Sequence, residues 1–332
     1  MKTFEELGVM PEICEAISEL GFVQPMPVQE EVIPYLLGNG NDVVALAQTG
    51  TGKTAAFGLP IIQKADPTLP YAQALILSPT RELCLQIADD LASFSKYVEG
   101  LRVVPMYGGT SIENQIRNVR RGVHIIVATP GRLIDLMERG VVDLSTVRDV
   151  VLDEADEMLK MGFLRDVRRI LNATPADTQV GMFSATISRE VMDISWVYQR
   201  DPEEIMVQAT KENKPDILQY RIEVEADKKV ETIVRILEGE QLERVIIFCN
   251  TKHMCQRLSD DFQRAGMDAD CIHGDIRQSQ REKTMQQYRD GKMAILIATD
   301  VASRGIDVDD VDCVVNFDVP AENEYYVHGI GR

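Results

Sequence analysis

Short apolar runs rich in β-branched residues alternate with longer segments of helical periodicity along most of the chain. Strands that are apolar throughout are typical of parallel sheets covered by helices on both faces. The first half contains six such runs: Val43–Ala47, Ala74–Ser78, Val103–Tyr107, Ile125–Ala128, Val150–Asp153 and Val180–Ser184. The pattern predicts an α/β fold with a parallel sheet, in which ligands bind at the carboxyl ends of the strands.

A charged, proline-containing stretch interrupts this alternation. Lys211-Glu-Asn-Lys-Pro215 has little periodicity, and we place a linker at 209–216, between a first domain at 1–208 and a second at 217–332. Two domains also suit the length of 332 residues. A second series of apolar runs follows: Ile217–Val224, Val245–Cys249, Asp270–Ile272, Ala294–Ala298 and Cys313–Phe317. This series ends without a closing helix and strand, so the second domain is predicted to be incomplete at its C-terminus.

Composition limits the compartment in which we expect the protein. No stretch approaches the roughly 18 uncharged apolar residues that a membrane span requires. Acidic residues stand near the N-terminus, where a secretory signal would have an apolar core. The six cysteines lack the spacing of a disulfide framework. We therefore expect reduced thiols and a cytoplasmic protein.

The net charge of −18 leaves two interpretations open. Nucleic-acid phosphates attract lysine and arginine, so a chain this acidic is typical of a protein without a polyanionic partner. Alternatively, a narrow groove of backbone amides and a few arginines binds nucleic acid, while acidic residues elsewhere limit non-specific contacts. Charge alone favours the first interpretation, and only motifs can overturn it.

A glycine-rich string directly follows the first apolar run. Such a loop directs backbone N–H groups at phosphate oxygens from the N-terminus of a helix, and glycine permits the close approach. Lys53 would reach the β- and γ-phosphates, and Thr54 would ligate Mg²⁺. The general pattern has glycine where this chain has Ala47. The residues of this predicted triphosphate loop are Ala47, Gln48, Thr49, Gly50, Thr51, Gly52, Lys53 and Thr54.

A second string, Val-Val-Leu-Asp-Glu-Ala-Asp at 150–156, ends an apolar run in carboxylates. Asp153 lies where Mg²⁺ held by Thr54 would need a carboxylate, in part through water. Glu154 can orient or deprotonate an attacking water. Without the glycine-rich loop, an acidic turn after a strand would be the simpler interpretation. Together the two strings predict Mg²⁺-dependent binding and hydrolysis of a nucleoside triphosphate.

With these two strings, the chain resembles the DEAD-box ATP-dependent RNA helicases of superfamily 2 over almost its whole length. The resemblance implies two tandem RecA-like domains, each a parallel sheet flanked by helices. It implies ATP and Mg²⁺ as cofactors, with ATP and a single RNA strand bound across the cleft between the domains. The implied activity is RNA-stimulated ATP hydrolysis coupled to local, non-processive remodelling of RNA duplexes and RNA–protein complexes. A monomer is expected, with protein partners binding a tail beyond Arg332.

Residues 4–29 resemble the segment with which this family recognises adenine. The amide of Gln29 can donate to and accept from the adenine edge, and the Phe22 ring can stack on the base, which would select ATP. Phe4 lies upstream at the spacing of the family, and Gln24 belongs to the same segment. Taken alone, Phe22 is more typical of a core residue.

Polar strings that follow strands resemble the RNA contacts of the family. Each offers a hydroxyl, exposed amides or a guanidinium for phosphate oxygens, so RNA would be read through sugar and phosphate rather than through base edges. Any one string alone would be an ordinary turn. In the first domain these residues are Pro79, Thr80, Arg81, Gly108, Gly109, Thr129, Pro130, Gly131 and Arg132. In the second domain they are Asn250, Thr251, Gly274, Asp275, Arg281 and Thr299.

The resemblance also implies residues that tie the nucleotide to domain closure. Gly305 and Asp307 would approach the nucleotide, and Arg332 matches one of two arginine fingers that stabilise charge on the transferred phosphoryl group. The residues expected to couple the domains are Asp156, Ser184, Thr186, Arg304 and His328.

The last residues depart from the family pattern. The family has His-Arg-Ile-Gly-Arg followed by Thr-Gly-Arg, whereas this chain ends Val327-His-Gly-Ile-Gly-Arg332, with Gly329 at an arginine position. One arginine finger contributes roughly 10³–10⁵ in rate. An ATP-gated RNA-binding clamp with weak or no hydrolysis therefore stays open beside an active helicase. A DNA translocase of related fold is a third alternative.

Overall fold

The structure is a computed structural model that describes residues 2–38, 42–47, 50–206, 217–240, 242–299, 308 and 311–319. The chain divides into two compact units, Met1–Thr210 and Lys211–Arg332. Each unit has its own parallel sheet with helices packed against it, so the predicted α/β architecture is confirmed.

The first unit is built on a sheet in which every pair of neighbouring strands is parallel. The strands are β1 (Val43–Leu46), β2 (Ala74–Leu77), β3 (Val103–Met106), β4 (Ile125–Ala128), β5 (Asp149–Leu152), β6 (Gln179–Ser184) and β7 (Glu203–Met206). Their order in the sheet is β3-β4-β2-β5-β6-β1-β7. Each of the six apolar runs predicted for this half forms a strand.

Helices cover both faces of this sheet. They are α1 (Pro11–Glu19), α2 (Pro27–Leu37), α3 (Lys53–Lys64), α4 (Arg81–Phe94), α5 (Ile112–Arg120), α6 (Pro130–Glu138), α7 (Ala155–Lys160), α8 (Leu164–Leu171) and α9 (Arg189–Tyr198). Side chains alternate across a strand, so Val151 of β5 packs with α2, α3 and α4 on one face. Its neighbours Val150 and Leu152 pack with α6, α8 and α9 on the other face. This double burial explains why the strands are apolar throughout.

The second unit has four described strands: β8 (Val245–Cys249), β9 (Ala269–Ile272), β10 (Ile295–Thr299) and β11 (Cys313–Asn316). They are parallel in the order β11-β8-β10-β9. The helices are a 3₁₀ turn at Ala226–Lys228, α10 (Lys229–Gly239), α11 (Lys252–Arg264) and α12 (Gln278–Arg289).

Two parts of the strand prediction are wrong. Ile217–Val224 forms no strand within the described residues, and Leu218 and Tyr220 are 78% and 84% exposed because no described strand pairs with them. Glu203–Met206 forms β7 at the edge of the first sheet, although the sequence has no apolar run at this position. Only Ile205 of this strand is buried, which is why its sequence lacks the signal of the inner strands.

Because all strands of a sheet run the same way, the carboxyl ends of β1 to β6 meet at one edge of the first unit. The polar strings that follow these strands therefore lie along that edge, as parallel topology requires. Among the described residues, no helix is both long and apolar enough to cross a membrane. All six cysteines are free thiols.

Candidate functional site

The end of the glycine-rich loop and the start of α3 form the first part of the site. Gly50 and Gly52 have φ angles of +80° and +81°, which glycine adopts without strain. The described part of the loop turns directly into α3, so the partial positive charge of a helix N-terminus faces this position. Lys53, the first residue of α3, is buried, whereas Thr54 is half-buried. Gln48 and Thr49 lie outside the described residues.

The side chain of Gln29 joins the predicted adenine segment to this loop. Its Oε1 accepts from the backbone N–H of Met26 at 2.9 Å, and its Nε2 donates to the backbone oxygen of Gly52 at 3.1 Å. A Cβ atom on Gly52 would lie only 2.4 Å from this Nε2, so the contact requires glycine. The amide still has a second hydrogen and a second lone pair with which it can contact a base.

The aromatic residues of the segment form a small cluster. The Phe22 ring lies 6.3 Å from the Phe4 ring and 5.6 Å from the Phe94 ring, measured between centroids. Phe4 is buried in the hydrophobic core, Phe22 is half-buried, and Gln24 is exposed. Any effect of Phe4 on a nucleotide would therefore act through Phe22, and stacking of Phe22 on adenine stays a prediction.

Two carboxylates follow β5 at the same edge of the sheet. Asp153 continues the sheet, because its N–H donates to the backbone oxygen of Leu77 at the end of β2 at 2.9 Å. Glu154 has a φ angle of +48°, a left-handed conformation that costs a residue other than glycine roughly 1 kcal/mol or more. This turn places Glu154 at the N-cap of α7 and directs the chain away from the sheet.

Three buried polar atoms at this edge have no hydrogen-bond partner within the described part of the chain: Lys53 Nζ, Asp153 Oδ1 and Glu154 Oε2. Burial raises the pKa of Asp153 to about 6. The positive charge of Lys53 opposes this shift, and the negative charge of Glu154 adds to it. Buried polar groups in proteins are nearly always paired, and leaving them unpaired is costly. The arrangement therefore indicates a polar ligand.

These side chains fit a triphosphate with Mg²⁺. The Lys53 ammonium suits phosphate oxygens, and the oxygens of Asp153 and Thr54 are the ligand type that Mg²⁺ prefers. In the described ranges, no group of three or more His, Cys, Asp and Glu side chains could hold a metal ion.

The predicted coupling string is tied to the acidic string. The hydroxyl of Thr186 donates to Oδ2 of Asp156 at 2.7 Å. The hydroxyl of Ser184 donates to the backbone oxygen of Thr186 at 2.7 Å and accepts from the N–H of Asp156 at 3.3 Å. Two hydrogen bonds therefore join the two strings, although about thirty residues separate them. Arg304, Gly305, Asp307, His328 and Arg332 lie outside the described residues.

The predicted RNA residues of the first unit line the ends of β2, β3 and β4. Thr80 caps α4, because its hydroxyl accepts from the N–H of Leu83 at 3.3 Å. The Arg81 guanidinium lies beside Gly108, where a Cβ atom would be 3.6 Å from Nη2. Gly109 is exposed with a φ angle of +85°.

The string at the end of β4 continues this line. The N–H of Thr129 donates to the backbone oxygen of Met106 at 2.9 Å, Pro130 is buried at the start of α6, and Gly131 is exposed. Pro79 is buried after β2. Burial lowers the pKa of Arg132; the charge of Asp135 raises it and the charge of Arg81 lowers it again.

The second unit places its predicted residues at the carboxyl ends of β8, β9 and β10, except Arg281, which lies on α12. Thr251 caps α11 by accepting from the N–H of Met254 at 3.2 Å, and the side chain of Asn250 donates to the backbone oxygen of Val319 at 3.1 Å. Gly274 is exposed, and exposed Asp275 pairs with Lys252 at 2.5 Å. Arg281 is buried, whereas Thr299 is half-buried at the end of β10.

Two residues that hold predicted RNA-binding loops have no sequence pattern that would predict this role. Lys252 holds Asp275, and a lysine at the start of a helix is an ordinary surface residue. Gln115 on α5 is buried and holds the loop after β3, but a glutamine in an amphipathic helix normally faces solvent. Only its contacts in the tertiary structure distinguish Gln115 from a surface glutamine.

Comparison with known proteins identifies the two units separately. A family model described as DEAD/DEAH box helicase matches residues 26–194, and one described as helicase conserved C-terminal domain matches residues 228–332. The chain is 45% identical to the ATP-dependent RNA helicase DeaD of Escherichia coli (strain K12) over 330 residues. That match covers 99% of this chain and 52% of the relative, so the chain spans about half the length of the curated relatives it matches.

Solved structures of DEAD-box proteins are also similar to this chain. A DEAD box protein from the hyperthermophile Methanococcus jannaschii is 40% identical, with a TM-score of 0.62 over 99% of this chain and 89% of that chain. Dbp5 of S. cerevisiae, solved bound to RNA and ADP BeF3, is 30% identical, with a TM-score of 0.87 over 100% of this chain and 86% of that chain.

Proposed function

The chain belongs to the DEAD/DEAH box helicase family, and on this premise we propose that it is an ATP-dependent RNA helicase. It hydrolyses ATP to ADP and phosphate when RNA is bound, and it uses the cycle to separate or remodel short stretches of RNA. The names of its relatives support both the nucleotide and the nucleic acid.

The observation that carries the proposal is the set of unpartnered buried atoms on Lys53, Asp153 and Glu154. An ammonium beside two carboxylates, at the N-terminus of a helix, offers what a triphosphate, its cation and an attacking water require. Lys53 binds oxygens of the β- and γ-phosphates. Asp153 and Thr54 would hold Mg²⁺, which neutralises charge on the phosphate oxygens when it is bound. Glu154 orients the water and accepts its proton.

RNA as the nucleic acid is supported by the line of hydroxyls, glycines and guanidinium groups at the ends of β2, β3 and β4. Such groups contact sugar and phosphate, so binding tolerates many sequences. Ribose 2′-hydroxyls are the feature by which such a site can favour RNA over DNA. The acidic surface elsewhere limits non-specific binding, so the local groove outweighs the net charge of −18.

The test is phosphate release from ATP without nucleic acid, with single-stranded RNA, and with single-stranded DNA of equal length. We expect RNA to stimulate release several-fold and DNA to stimulate it much less. Equal stimulation by DNA would favour a translocase of related fold. Absence of release under all conditions, with RNA binding that still depends on ATP, would favour an ATP-gated RNA clamp.

A second candidate is an ATP-gated RNA clamp with weak hydrolysis, and Gly329 favours it. The family has arginine at this position, and Gly329 lies outside the described residues. If this residue limits turnover, Gly329→Arg should raise RNA-stimulated phosphate release while ATP-dependent RNA binding stays the same. If both proteins turn over equally, Gly329 does not decide between clamp and helicase.

We also propose that the protein is a monomer that acts in the cytoplasm, with Mg²⁺ as the cation. Sedimentation with and without ATP tests the monomer, and cell fractionation tests the compartment. Loss of phosphate release on chelation, restored by added Mg²⁺, tests the cation.

A further inference from the structure

Helix α5 buries a polar side chain where an amphipathic helix normally buries an apolar one. Of its residues, all of which the structure describes, only Gln115 is buried, with 5% of its surface exposed. The apolar residues Ile112, Ile116 and Val119 are only partly buried against the core. A buried amide is costly unless its hydrogen bonds are made, so the position of Gln115 requires an explanation.

The amide of Gln115 holds both ends of the loop that follows β3. Its Nε2 donates to the backbone oxygen of Tyr107 at 2.9 Å and to the hydroxyl of Thr110 at 3.0 Å. Tyr107 and Thr110 stand directly before and after Gly108 and Gly109, which are predicted to contact RNA. Both hydrogens of one amide group are therefore used to fix the path of this loop.

A second side chain reaches the same loop from α6. Nη2 of Arg132 donates to the backbone oxygen of Thr110 at 3.2 Å. Thr110 is thus held by Gln115 through its hydroxyl and by Arg132 through its carbonyl. The loop has two glycines, one of them with positive φ, so without these contacts its backbone would have unusual freedom.

Two atoms beside the loop keep unused hydrogen-bonding capacity. Oε1 of Gln115 and Nη1 of Arg132 are both buried, and neither has a partner in the described part of the chain. One is an acceptor and the other a donor, and each belongs to a side chain that holds Thr110.

We propose that Gln115 is a positioning residue for RNA, which presets the Gly108–Thr110 loop for contact with the sugar–phosphate backbone. This inference rests on the proposed function, because it assumes that the loop contacts RNA. Gln115 itself touches no RNA. It acts by keeping the glycine backbone and the Arg132 side chain in place before RNA arrives, which removes an ordering cost from binding.

The first unit offers a matched control. Nε2 of Gln199 also donates to two backbone oxygens, those of Val43 at 2.9 Å and Val180 at 2.8 Å. Its Oε1 is likewise buried and has no partner among the described residues. Val43 and Val180 stand at the starts of β1 and β6, at the opposite edge of the sheet from the site. Gln199→Leu therefore removes the same chemistry away from the predicted RNA contacts.

The experiment compares the unsubstituted chain, Gln115→Leu and Gln199→Leu. RNA affinity is measured by fluorescence anisotropy of a labelled single-stranded RNA with a non-hydrolysable ATP analogue, and stability by urea unfolding. Both variants should lose stability. Only Gln115→Leu should weaken RNA binding, by about tenfold, the equivalent of one lost hydrogen bond. Measured without RNA, its affinity for the ATP analogue should change by less than about twofold.

Thr110→Val keeps the test decisive if Gln115→Leu does not fold. It removes one of the two contacts from a half-exposed loop residue, and we expect a smaller loss of RNA affinity in the same direction. The salt dependence gives a further readout: Gln115→Leu should leave the slope of log affinity against log salt unchanged, whereas Arg132→Gln should reduce it by about one.

Three outcomes overturn the inference. RNA affinity that is unchanged in Gln115→Leu and Thr110→Val would show that the loop needs no such support. An equal loss of affinity in Gln199→Leu would assign the effect to general instability. If the unsubstituted chain binds no RNA with the ATP analogue, the proposed function fails first and this inference fails with it.

Discussion

Replacing Asp153 by asparagine should stabilise the nucleotide-free protein while it abolishes ATP hydrolysis. Asp153 is 3% exposed and has one carboxylate oxygen without a described partner. Its ionised form is therefore held in an environment that disfavours it. Asparagine has nearly the same shape and no charge.

The magnitude follows from the pKa of Asp153. Burial raises it to about 6, whereas an aspartate in an unfolded chain titrates near 3.9. A difference of about 2 pKa units corresponds to about 3 kcal/mol of lost stability when the group is ionised in both states. The asparagine NH₂ group would lie near the Lys53 ammonium, which offsets part of the gain. We expect a net gain of about 1–2 kcal/mol at about pH 8.

The pH dependence identifies the cause. Between about pH 4 and pH 6 the folded protein keeps the Asp153 proton and the unfolded chain has lost it, so stability falls as pH rises through this window. The variant lacks this contribution. Urea unfolding without nucleotide should therefore show a variant about 1–2 kcal/mol less stable than the unsubstituted protein near pH 4, where only the offset at Lys53 remains, and more stable above about pH 6.

Asp42 supplies the control. It is also fully buried, and burial raises its pKa too, but its carboxylate accepts from the N–H groups of Val180 at 2.7 Å and Arg200 at 2.5 Å, which lower that pKa and which an asparagine could not both satisfy. Asp42→Asn should therefore lower stability at about pH 8, by about 1–3 kcal/mol. If Asp153→Asn also lowers stability there, or if its difference from the unsubstituted protein does not change between about pH 4 and pH 6, the reasoning about an unpartnered carboxylate is refuted.

Three further substitutions test the site. Lys53→Ala should abolish ATP-dependent RNA affinity, and unchanged retention in filter binding would remove Lys53 from the site. Gln29→Ala breaks the contacts to Met26 and Gly52, so it should lower stability by about 2 kcal/mol and reduce the preference for ATP over GTP. Equal discrimination in competition binding would contradict the adenine role. Thr186→Val removes the hydrogen bond to Asp156, and we expect RNA-stimulated ATPase to persist while strand separation in a gel-shift assay falls several-fold; parallel losses would speak against coupling.

Much of the fold was accessible from apolar runs because inner parallel strands are buried on both faces. Val43–Leu46 and Ile125–Ala128 have no polar face that could blur the pattern. The edge strand Glu203–Met206 lacks such an apolar run because only Ile205 is buried. Ile217–Val224 shows the opposite error: its apolar residues suggest a strand, but no described neighbour pairs with it.

The chemistry of the site was partly accessible for a related reason. Functional groups in parallel sheets lie after the strands, so Lys53, Asp153 and Thr186 could be assigned to one edge from their positions in the sequence. Their pairing could not. The contact of Gln29 with Gly52 and that of Asp156 with Thr186 join residues far apart in the chain, and no local pattern encodes such distances.

Sequence alone thus specifies which residues can bind phosphate and at which strand ends they stand, because strand burial and loop chemistry are local properties. Tertiary structure specifies which of these groups remain without a partner. Burial and pairing depend on every element packed around a side chain. For that reason only the folded chain distinguishes Asp42, whose carboxylate accepts two backbone hydrogen bonds, from Asp153, which has one carboxylate oxygen without a described partner. Only the folded chain likewise shows that Gln115 holds the loop after β3.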